Sequence, residues 1–315
     1  MVGEWINDLC RADMITQNGE CIIFLSRYLL GLEEGDRLLL KKELAHISKT
    51  GVGTVQNALK KLEDLGAVKL VSRGHLGTFV EKLDKKLLWK HSMYSYVRGT
   101  MPLPYSSVLV GMATGIHNSF PEEGPMLRMS YIRGGRVRIQ NLMDGLDDFT
   151  VCSLYSARNA LKKYRDIRVF MEFDDNTYMG KPALLLRKGV RLSDGIRIGI
   201  DKSSYDQELI TRSVCRNYQV EFVKIQYNNL FYMMKHGDID GGVWSLLDIG
   251  ISEFDGTIEP LRGNLVESGQ GAGQAVILTS ERSLPKMELV RFLLDKEKIE
   301  KTQRDVMDNK EIPNY

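Results

Sequence analysis

The residues of this sequence that could do chemistry are hydroxyls, arginines and a tryptophan placed just after predicted strands. In an open α/β sheet the carboxyl ends of parallel strands share one edge, and helices begin there. Helix N-termini expose free N–H groups, which bind anions together with arginines. The predicted ligand contacts are Pro104, Tyr105, Ser106, Arg133, Gly134, Arg136, Ser153, Tyr155, Ser203 and Ser204, with Trp244 across the cleft. We expect a small anionic or polar ligand.

Each of these residues also has a purely structural interpretation. Ser203 or Ser204 taken singly is more typical of a helix N-cap than of a ligand contact. Pro104 suits the first turn of a helix, and Arg136 and Arg138 are equally well explained as surface charges. The prediction therefore rests on the cluster, because all members fall at the same edge of the predicted sheets.

Patterns for bond-breaking chemistry or metal binding are absent from the sequence. The histidines are scattered without metal-ligand spacing, at positions 46, 75, 91, 117 and 236. The motifs G-x-S-x-G, Walker A and C-x-x-C do not occur. The stretch 269–273 lacks the Lys and Ser/Thr of a phosphate loop and suits a flexible crossing between lobes. We expect no enzyme activity, no metal and no cofactor.

A second group of polar residues lies on one helix in the first quarter of the chain. Apolar residues recur with a period near 3.6 from Val52 to Leu65, which predicts an amphipathic helix with one face against a core. Polar residues lie near its N-terminal end, and Gln and Asn pair bidentately with adenine in the major groove. The predicted DNA contacts are Lys49, Thr50, Thr54, Gln56, Asn57, Lys60, Arg73 and His75.

The elements around this helix predict a helix-turn-helix followed by a hairpin. A short apolar segment near Leu44 leads into a turn with Gly51 and Gly53, and two β-prone runs, 67–71 and 76–80, follow the helix. This arrangement is typical of a winged helix that reads DNA, with Arg73 at the wing tip. A three-helix packing module with a hairpin fits the same pattern, so the motif alone leaves that alternative open.

The same segment resembles the GntR-type DNA-binding domain. The resemblance is carried by Gly35-Asp36-Arg37-Leu38, Thr54-Val55-Gln56-Asn57-Ala58-Leu59 and Arg73-Gly74-x-x-Gly77-Thr78-Phe79-Val80. Members of that family often have Ser-Arg before the recognition helix and Arg after Thr-Val. Here those positions hold Gly51, Val52 and Gln56. The resemblance implies operator binding with two of the usual contacts missing.

From Ser95 onward the sequence alternates predicted strands and short helices, which is typical of an α/β fold with largely parallel sheets. The alternation pauses at 173–182 and restarts, so we expect two similar lobes with a ligand cleft between them. The last predicted elements are a Gly-rich loop at 263–273, a strand at 275–278 and one helix from Pro285 to about Val306. This pattern looks like a type 2 periplasmic-binding-protein fold used as an effector domain.

Residues across this region resemble the YhfZ family of proposed transcriptional regulators. The resemblance is carried by the stretches 101–105, 133–134, 187–189, 237–238 and 311–315, with Arg138, Leu142, Gly145 and Trp244. It covers nearly all of the chain after about Glu20. It implies a winged helix-turn-helix joined to a binding-protein-like domain and names no effector.

The composition of the 315 residues, 43% hydrophobic with net charge +2, suits two or three globular domains. Between Asp36 and Lys90 basic residues outnumber acidic ones twofold, as on a phosphate-facing surface, although many solvated surfaces look the same. The four cysteines show no metal or redox spacing, so we expect reduced thiols in a cytoplasmic protein. We expect no membrane span and no secretory signal.

We expect three segments: a winged helix-turn-helix DNA-binding domain at 1–82, a linker at 83–94, and a two-lobed effector-binding domain at 95–315. The first hypothesis is a homodimeric transcription regulator controlled by a small, anionic effector bound between the lobes. The alternative is a small-molecule binding protein whose winged helix is a protein-interaction platform. Salt-sensitive DNA binding distinguishes the two. An enzyme with an attached DNA-binding domain is disfavoured, because no lysine context supports a pyridoxal enzyme.

Overall fold

The computed structural model of the chain describes residues 16–104, 106–122, 124–180, 182–246, 251–261 and 271–315. These residues belong to two compact units. The first unit runs to Val97 and includes residues 120–127 and 288–291; the second comprises 98–119, 128–287 and 292–315. Each unit has its own buried apolar residues, and each is described by itself.

The first unit is a winged helix-turn-helix, as the sequence predicts. Its helices are α1 (Gln17–Leu30), α2 (Lys41–Ile47) and α3 (Val52–Asp64), and its wing is the antiparallel pair β1 (Val68–Ser72) and β2 (Thr78–Leu83). A single β-bridge from Arg37 to Phe79 adds a third strand position beside the wing. This bridge places the segment that precedes α2 beside β2, close to the turn of the wing.

Helix α3 buries one face, as its periodicity predicts. Val55, Ala58, Leu59 and Leu62 are buried against the rest of the unit. The two ends of the predicted stripe, Val52 and Leu65, are instead exposed. They lie in the first turn and just past the last turn, where the helix has left the core.

The segment 83–94, which we expected to be a linker, contains a further helix. Helix α4 (Lys85–His91) begins at Asp84, whose carboxylate accepts the N–H of Leu87 at 2.9 Å, and it packs on α1. Trp89 is 3% exposed, and Arg27 Nε of α1 donates to the Ser92 carbonyl at 2.9 Å. Trp89 is thus a buried residue of the first unit, with its ring centroid 5.3 Å from that of Tyr94.

The second unit has two lobes, and each contains a five-stranded sheet. In lobe one the strand order is β4-β3-β5-β12-β6, and in lobe two it is β11-β7-β10-β8-β9. The strands of lobe one are β3 (Tyr96–Met101), β4 (Met126–Tyr131), β5 (Phe149–Ser153), β6 (Ile167–Glu172) and β12 (Ala275–Ser280). Those of lobe two are β7 (Pro182–Arg187), β8 (Arg197–Ile200), β9 (Glu221–Lys224), β10 (Gly241–Ser245) and β11 (Gly256–Pro260). The predicted two-lobed α/β fold is confirmed, and β11 is a strand that the sequence analysis missed.

Helices follow most of these strands. They are α5 (Ser107–Asn118), α6 (Gly135–Met143) and α7 (Leu154–Lys163) in lobe one, and α8 (Tyr205–Val214) and α9 (Leu230–His236) in lobe two. Two more, α10 (Leu284–Leu289) and α11 (Lys296–Met307), come after β12. The single terminal helix expected from Pro285 to about Val306 was therefore wrong. The first helix ends at Leu289, and a second begins after Asp295, whose carboxylate caps α11 by accepting the N–H of Lys298 at 3.2 Å.

The sheets are mixed rather than largely parallel as we expected. Strand β3 runs parallel to β5, and β8 runs parallel to β9 and β10. Strands β7 and β12 are antiparallel to the strands on both sides of them. These two are the first strands after the chain passes from one lobe to the other. Parallel neighbours in a sheet are joined by a crossover connection, usually through a helix. Strands β7 and β12 instead enter their sheets from the other lobe, so no crossover sets their direction.

The two lobes share one hydrogen-bonding arrangement at the start of a central strand. In lobe one, the Asp148 carboxylate accepts the N–H of Arg98 at 2.8 Å and its Nη2 at 2.9 Å. In lobe two, the Asp240 carboxylate accepts the same atoms of Arg197 at 2.9 and 3.0 Å. We call these two pairs the arginine–aspartate clamps. Each ties together the two parallel strands whose carboxyl ends border the cleft.

Candidate functional site

A cleft between the lobes of the second unit is the candidate ligand site. It encloses about 790 Å³ of empty space, including the part open to solvent. Its wall carries apolar side chains together with a few charged and amide groups. This combination is typical of small-molecule sites, in which apolar surface provides affinity and a few polar groups provide orientation.

The lobe-one wall is formed where β3 and β4 end and α5 and α6 begin. Ser106 caps α5, and its hydroxyl accepts the N–H of Leu109. Arg138 of α6 is 2% exposed, donating from Nη1 to the Ile132 carbonyl at 2.8 Å and from Nη2 to the Tyr178 hydroxyl at 3.0 Å. Burial raises the pKa of Tyr178, so its hydroxyl stays protonated. Arg138 is therefore part of the wall, and the alternative of a surface charge does not apply.

The lobe-two wall is formed by the segment that leads into α8, by Trp244 near the end of β10 and by Tyr227 after β9. The Ser204 hydroxyl caps α8 by accepting the backbone N–H of Gln207 at 3.3 Å. The side-chain amide oxygen of Gln207 accepts the backbone N–H of Asp201 at 2.6 Å. Trp244 stacks on Tyr227, with ring centroids 4.1 Å apart and planes 10° from parallel. These contacts hold a flat aromatic surface beside the start of α8.

Side chains of the two lobes are hydrogen-bonded to each other at one side of the cleft. Arg133 Nη1 of lobe one donates to the Asp201 carboxylate at 2.9 Å. The Asp206 carboxylate of lobe two accepts the hydroxyls of Ser153 at 2.6 Å and Ser156 at 2.9 Å. Burial raises the pKa of Asp206, while its hydrogen bonds and Arg138 act in the opposite direction. We call the Asp206, Ser153 and Ser156 group the cleft latch.

A second set of contacts between the lobes lies around Gly134. This glycine has φ +88°, and a Cβ there would be 2.7 Å from the Ser203 hydroxyl, so only glycine allows this close approach. The backbone N–H of Arg136 donates to the Ser203 carbonyl at 3.1 Å. The Arg136 guanidinium pairs with Glu208 at 3.1 Å and lies 3.8 Å from the Tyr205 ring centroid. Ser203 and Arg136 therefore join the lobes beside the cleft.

Of the predicted ligand contacts, the structure brings one group together at the cleft wall: Ser106, Arg133, Gly134, Ser204 and Trp244. Ser153, Ser203 and Arg136 bind the other lobe instead, and Tyr155 packs in an apolar cluster with Ile210 and Val243. Pro104 does not line the cleft, and Tyr105 lies outside the described residues.

Several residues of the wall were not predicted from the sequence. They include Pro102, Leu103, Tyr178, Asp201, Asp206, Gln207 and Tyr227. Asp201 directly follows β8, so the rule that placed Ser203 and Ser204 at this edge also points to it. Tyr178 lies in the crossing between the lobes, and no sequence pattern marked it.

The candidate DNA-binding surface lies on the first unit. Gln56, Asn57 and Lys60 are exposed on α3, and Thr54 is half-buried in its first turn. Gly51 caps α3 without a side-chain hydrogen bond, so the first N–H groups of the helix are not capped by a side chain. The exposed face opposite the buried stripe is therefore polar and ends in free N–H groups, which suits a phosphate-lined groove.

The remaining predicted DNA contacts lie in the turn before α3 and in the wing. Lys49 is exposed in a left-handed turn conformation with φ 53°. The Thr50 hydroxyl lies 2.8 Å from that of Ser48 and also contacts the Cys21 sulfur, so it is engaged within the unit. Arg73 and His75 are exposed at the wing tip, with the Arg73 guanidinium 4.6 Å from the Phe79 ring centroid.

The described residues give no support for a metal site or for a membrane-spanning helix. They contain no group of His, Cys, Asp and Glu side chains that could hold a metal ion. Cys21, Cys152 and Cys215 are buried free thiols, and Cys10 lies outside the described ranges. Within the same part of the chain, no helix combines the length and apolar character needed to cross a membrane.

Comparison with known proteins covers both units. The family model of the YhfZ C-terminal domain matches residues 84–315. The chain belongs to the YhfZ family. A model of a helix-turn-helix domain matches residues 33–80, so this YhfZ-family chain joins a DNA-binding type of module to the family's C-terminal domain. Neither match is to an enzyme family.

Two further comparisons agree with this assignment. The chain is 30% identical over 308 residues to the uncharacterized protein YhfZ of Escherichia coli K12, covering 97% of this chain and 100% of the relative. It is similar to the crystal structure of YhfZ from Shigella flexneri, with a TM-score of 0.59, 28% identity, and coverage of 74% and 98% of the two chains.

A binding protein outside the YhfZ family shares the fold. The ligand-binding component of an ABC-type import system from Staphylococcus aureus, solved with zinc bound, matches with a TM-score of 0.51 at 14% identity. The match covers 68% of this chain and 79% of that chain. The two-lobed architecture of the second unit is therefore that of a solute-binding protein.

Proposed function

We propose that this YhfZ-family protein is a cytoplasmic, homodimeric transcription regulator of GntR type, controlled by a small anionic ligand bound between its lobes. The proposed DNA-binding domain spans residues 1–82, and the proposed effector-binding domain spans residues 95–315. The observation that carries the proposal is the exposure of Gln56 and Asn57 on α3, opposite its buried stripe, in a chain that also has a solute-binding cleft.

The physical basis of DNA reading is the size of the major groove, which admits one α-helix and presents a distinct pattern of donors and acceptors for each base pair. Gln56 and Asn57 are the groups that would read bases. Lys60 on α3 and Arg73 at the wing tip would contact phosphates, which position the helix without reading sequence. A dimer would place two such helices about one helical turn apart on the duplex.

The physical basis of control is unequal affinity of the ligand for two states of the protein. The lobes are bridged by hydrogen bonds from Arg133 and from the cleft latch. A ligand that strengthens or replaces these bridges changes the balance between open and closed lobes. The DNA-binding units would respond to this balance between open and closed lobes.

The test is binding of the purified full-length protein to DNA from upstream of its own gene and to scrambled DNA of the same composition, over a range of salt concentrations. We expect selective binding to the upstream DNA that weakens steeply with salt, because phosphate contacts release counterions. Equal binding to both DNAs, or none, would contradict the regulator and favour a winged helix that docks onto a protein.

A further inference from the structure

The wall of the cleft contains three buried hydrogen-bond donors that have no partner among the described residues. They are Nε of Arg138, Nε2 of Gln207 and Nε1 of Trp244. The side chains that carry them are 2%, 7% and 2% exposed. Buried polar groups are nearly always hydrogen-bonded in native proteins, so three unpaired donors around one cavity call for an explanation.

The orientation of these donors is fixed by other contacts. The side-chain Oε1 of Gln207 accepts the backbone N–H of Asp201 at 2.6 Å, so the side-chain Nε2 of Gln207 is directed away from Asp201. The other two nitrogens of Arg138 donate to the Ile132 carbonyl and the Tyr178 hydroxyl. The indole of Trp244 is held flat against Tyr227. A simple rotation would therefore break existing contacts in each case.

The acceptors of the wall are already engaged. One oxygen of Asp201 accepts from the N–H and the hydroxyl of Ser203, and the other accepts from Arg133 and from the N–H of Tyr227. The two oxygens of Asp206 accept from Ser153 and Ser156. The cleft is thus rich in donors that lack acceptors, while its carboxylates have their donors.

We propose that the cleft binds a compact molecule with an apolar or aromatic body and a carboxylate or carbonyl group whose oxygens accept from Gln207, Trp244 and Arg138. The body packs between the aromatic surface of Tyr227 and Trp244 and the apolar side chains of Leu103, Leu109 and Ile210. Arg138 belongs to lobe one and the other two donors to lobe two, so such a ligand bridges the lobes. The inference rests on the proposed ligand site and adds its chemical class.

Amines are disfavoured by the same hydrogen-bond argument. An ammonium group would add donors to a wall whose Asp201 and Asp206 oxygens already accept hydrogen bonds, and it would lie near the guanidinium of Arg138. A site built to hydrogen-bond one group rejects an analogue without it by a large factor. The proposed class therefore makes a prediction about matched pairs of small molecules that differ only in the acid or amine group.

The test is calorimetric titration of the full-length protein with benzoate against benzylamine, and with phenylacetate against phenethylamine. We expect saturable binding of both carboxylates, at least about tenfold tighter than their amine counterparts. Equal affinity of acid and amine, a preference for the amine, or binding of neither pair would overturn the proposal.

Variants assign the preference to the named donors. Gln207→Glu keeps the oxygen that accepts from Asp201 and replaces the donor with a carboxylate oxygen, so it should abolish the preference for acids. Trp244→Phe keeps an aromatic ring but removes the donor, and it should weaken both acids severalfold while leaving the amines unchanged. Gln219→Glu, at an exposed position outside the cleft, is the matched control and should bind like the wild type.

Selective DNA binding is measured on the same preparations, which separates the two proposals. Intact operator selectivity without a carboxylate preference would refute the ligand class and leave the regulator standing. A carboxylate preference that Gln207→Glu removes, in a protein without selective DNA binding, would support the ligand class and refute the regulator. An acid preference unchanged in both cleft variants would show that these donors do not select the ligand.

Discussion

Asp206 shows how one residue changes the interpretation of a whole helix terminus. From the sequence, Ser153 at the start of α7 was expected to help bind the ligand. In the structure, the hydroxyls of Ser153 and Ser156 donate to the Asp206 carboxylate of the opposite lobe. The start of α7 is thus occupied by an acidic side chain of the protein's own second lobe. Ser153 consequently acts in joining the lobes.

Replacing Asp206 should destabilise the second unit. Asp206→Ala leaves two buried hydroxyls without their acceptor, and an unpaired buried polar group costs about 1–3 kcal/mol. The free energy of unfolding, measured by urea denaturation, should fall by that amount. The neighbouring Glu208→Ala removes more exposed ion pairs with Arg136 and Arg212 and should cost less than about 1 kcal/mol. Equal losses of unfolding free energy in the two variants would show that the cleft latch stabilises the protein no more than the exposed ion pairs of Glu208 do.

Gln56 is the residue at which base reading is best tested. Gln56→Ala removes a bidentate group from an exposed position of α3 and should cost about 1–3 kcal/mol of operator affinity. Affinity for scrambled DNA should change little, because nonspecific binding depends on phosphate contacts. Fluorescence anisotropy with both DNAs measures the ratio. A parallel loss on both would mean that Gln56 does not read bases.

At the scale of elements, helices α5 and α11 approach each other through two glycines. A Cβ on Gly111 would be 2.7 Å from the Gln303 carbonyl oxygen, and one on Gly115 would be 2.8 Å from that of Ile299. Both neighbours are backbone atoms, which cannot move without displacing the whole helix. The contact also allows the Gln303 amide to reach the Val108 and Thr177 carbonyls, each at 2.8 Å.

Gly115→Ala should therefore destabilise the protein although alanine favours helices. Overpacking of this kind typically costs about 1–3 kcal/mol. Gly53→Ala in α3 is the matched control, because nothing lies within 4 Å of its Cβ position. That control should gain up to about 1 kcal/mol from helix propensity. Thermal and urea denaturation should show shifts of opposite sign, and a shared direction would contradict the close packing of α5 and α11.

The arginine–aspartate clamps belong to the same scale, because each one joins two strands. Burial alone would raise the pKa of Asp148, but hydrogen bonds from Arg98 and the charge of Lys286 outweigh it and hold that pKa below its usual value. A carboxyl with a lowered folded pKa stabilises the fold above its unfolded value of about 3.9. This stabilisation is lost as the pH falls through the lower, folded value.

Asp148→Asn should accordingly have an effect that depends on pH. Near neutral pH we expect a loss of about 1–3 kcal/mol in the free energy of unfolding. The difference from the wild type should shrink as the pH falls below about 4, where the wild-type carboxyl also takes up a proton. Urea denaturation from pH 6 down to acid gives both curves. Asp255→Asn, whose exposed carboxylate pairs with Lys188, should remain close to the wild type throughout.

At the scale of the whole molecule, two units of different type lie in one chain. A winged helix-turn-helix alone has no site for an effector, and a solute-binding domain alone has no DNA-reading helix. The family assignment and the fold support both parts. In the proposed regulator, a ligand can change DNA binding only if it binds more tightly to one state of the lobes than to the other.

The assembly state is the prediction that belongs to this scale. The full-length protein should sediment as a dimer and protect two half-sites whose centres lie about one helical turn apart, near 34–36 Å. Footprinting on the upstream DNA and analytical ultracentrifugation measure the two quantities. A monomer that protects a single half-site would remove the dimer from the proposal and leave DNA binding in place.

The sequence by itself determined most of the elements and their order. The stripe from Val52 to Leu65 predicted the buried face of α3 except at its two ends, and the alternation of strands and helices predicted two α/β lobes. These signals are local, because periodicity and capping depend on residues within a few positions of each other. The two arginine–aspartate clamps, by contrast, join residues 50 and 43 positions apart, so no common spacing marks them in the sequence.

Only the tertiary structure decided which polar groups face the cleft with a free hydrogen bond. Asp206 reaches Ser153 across more than fifty positions, and the reversal of β7 and β12 follows from where the chain crosses between lobes. A hydrogen bond removes a donor or an acceptor from the ligand's reach, and its partner is chosen by proximity in space. Residue type and spacing therefore predicted the edge of the sheet where the site lies, while the fold determined its chemistry.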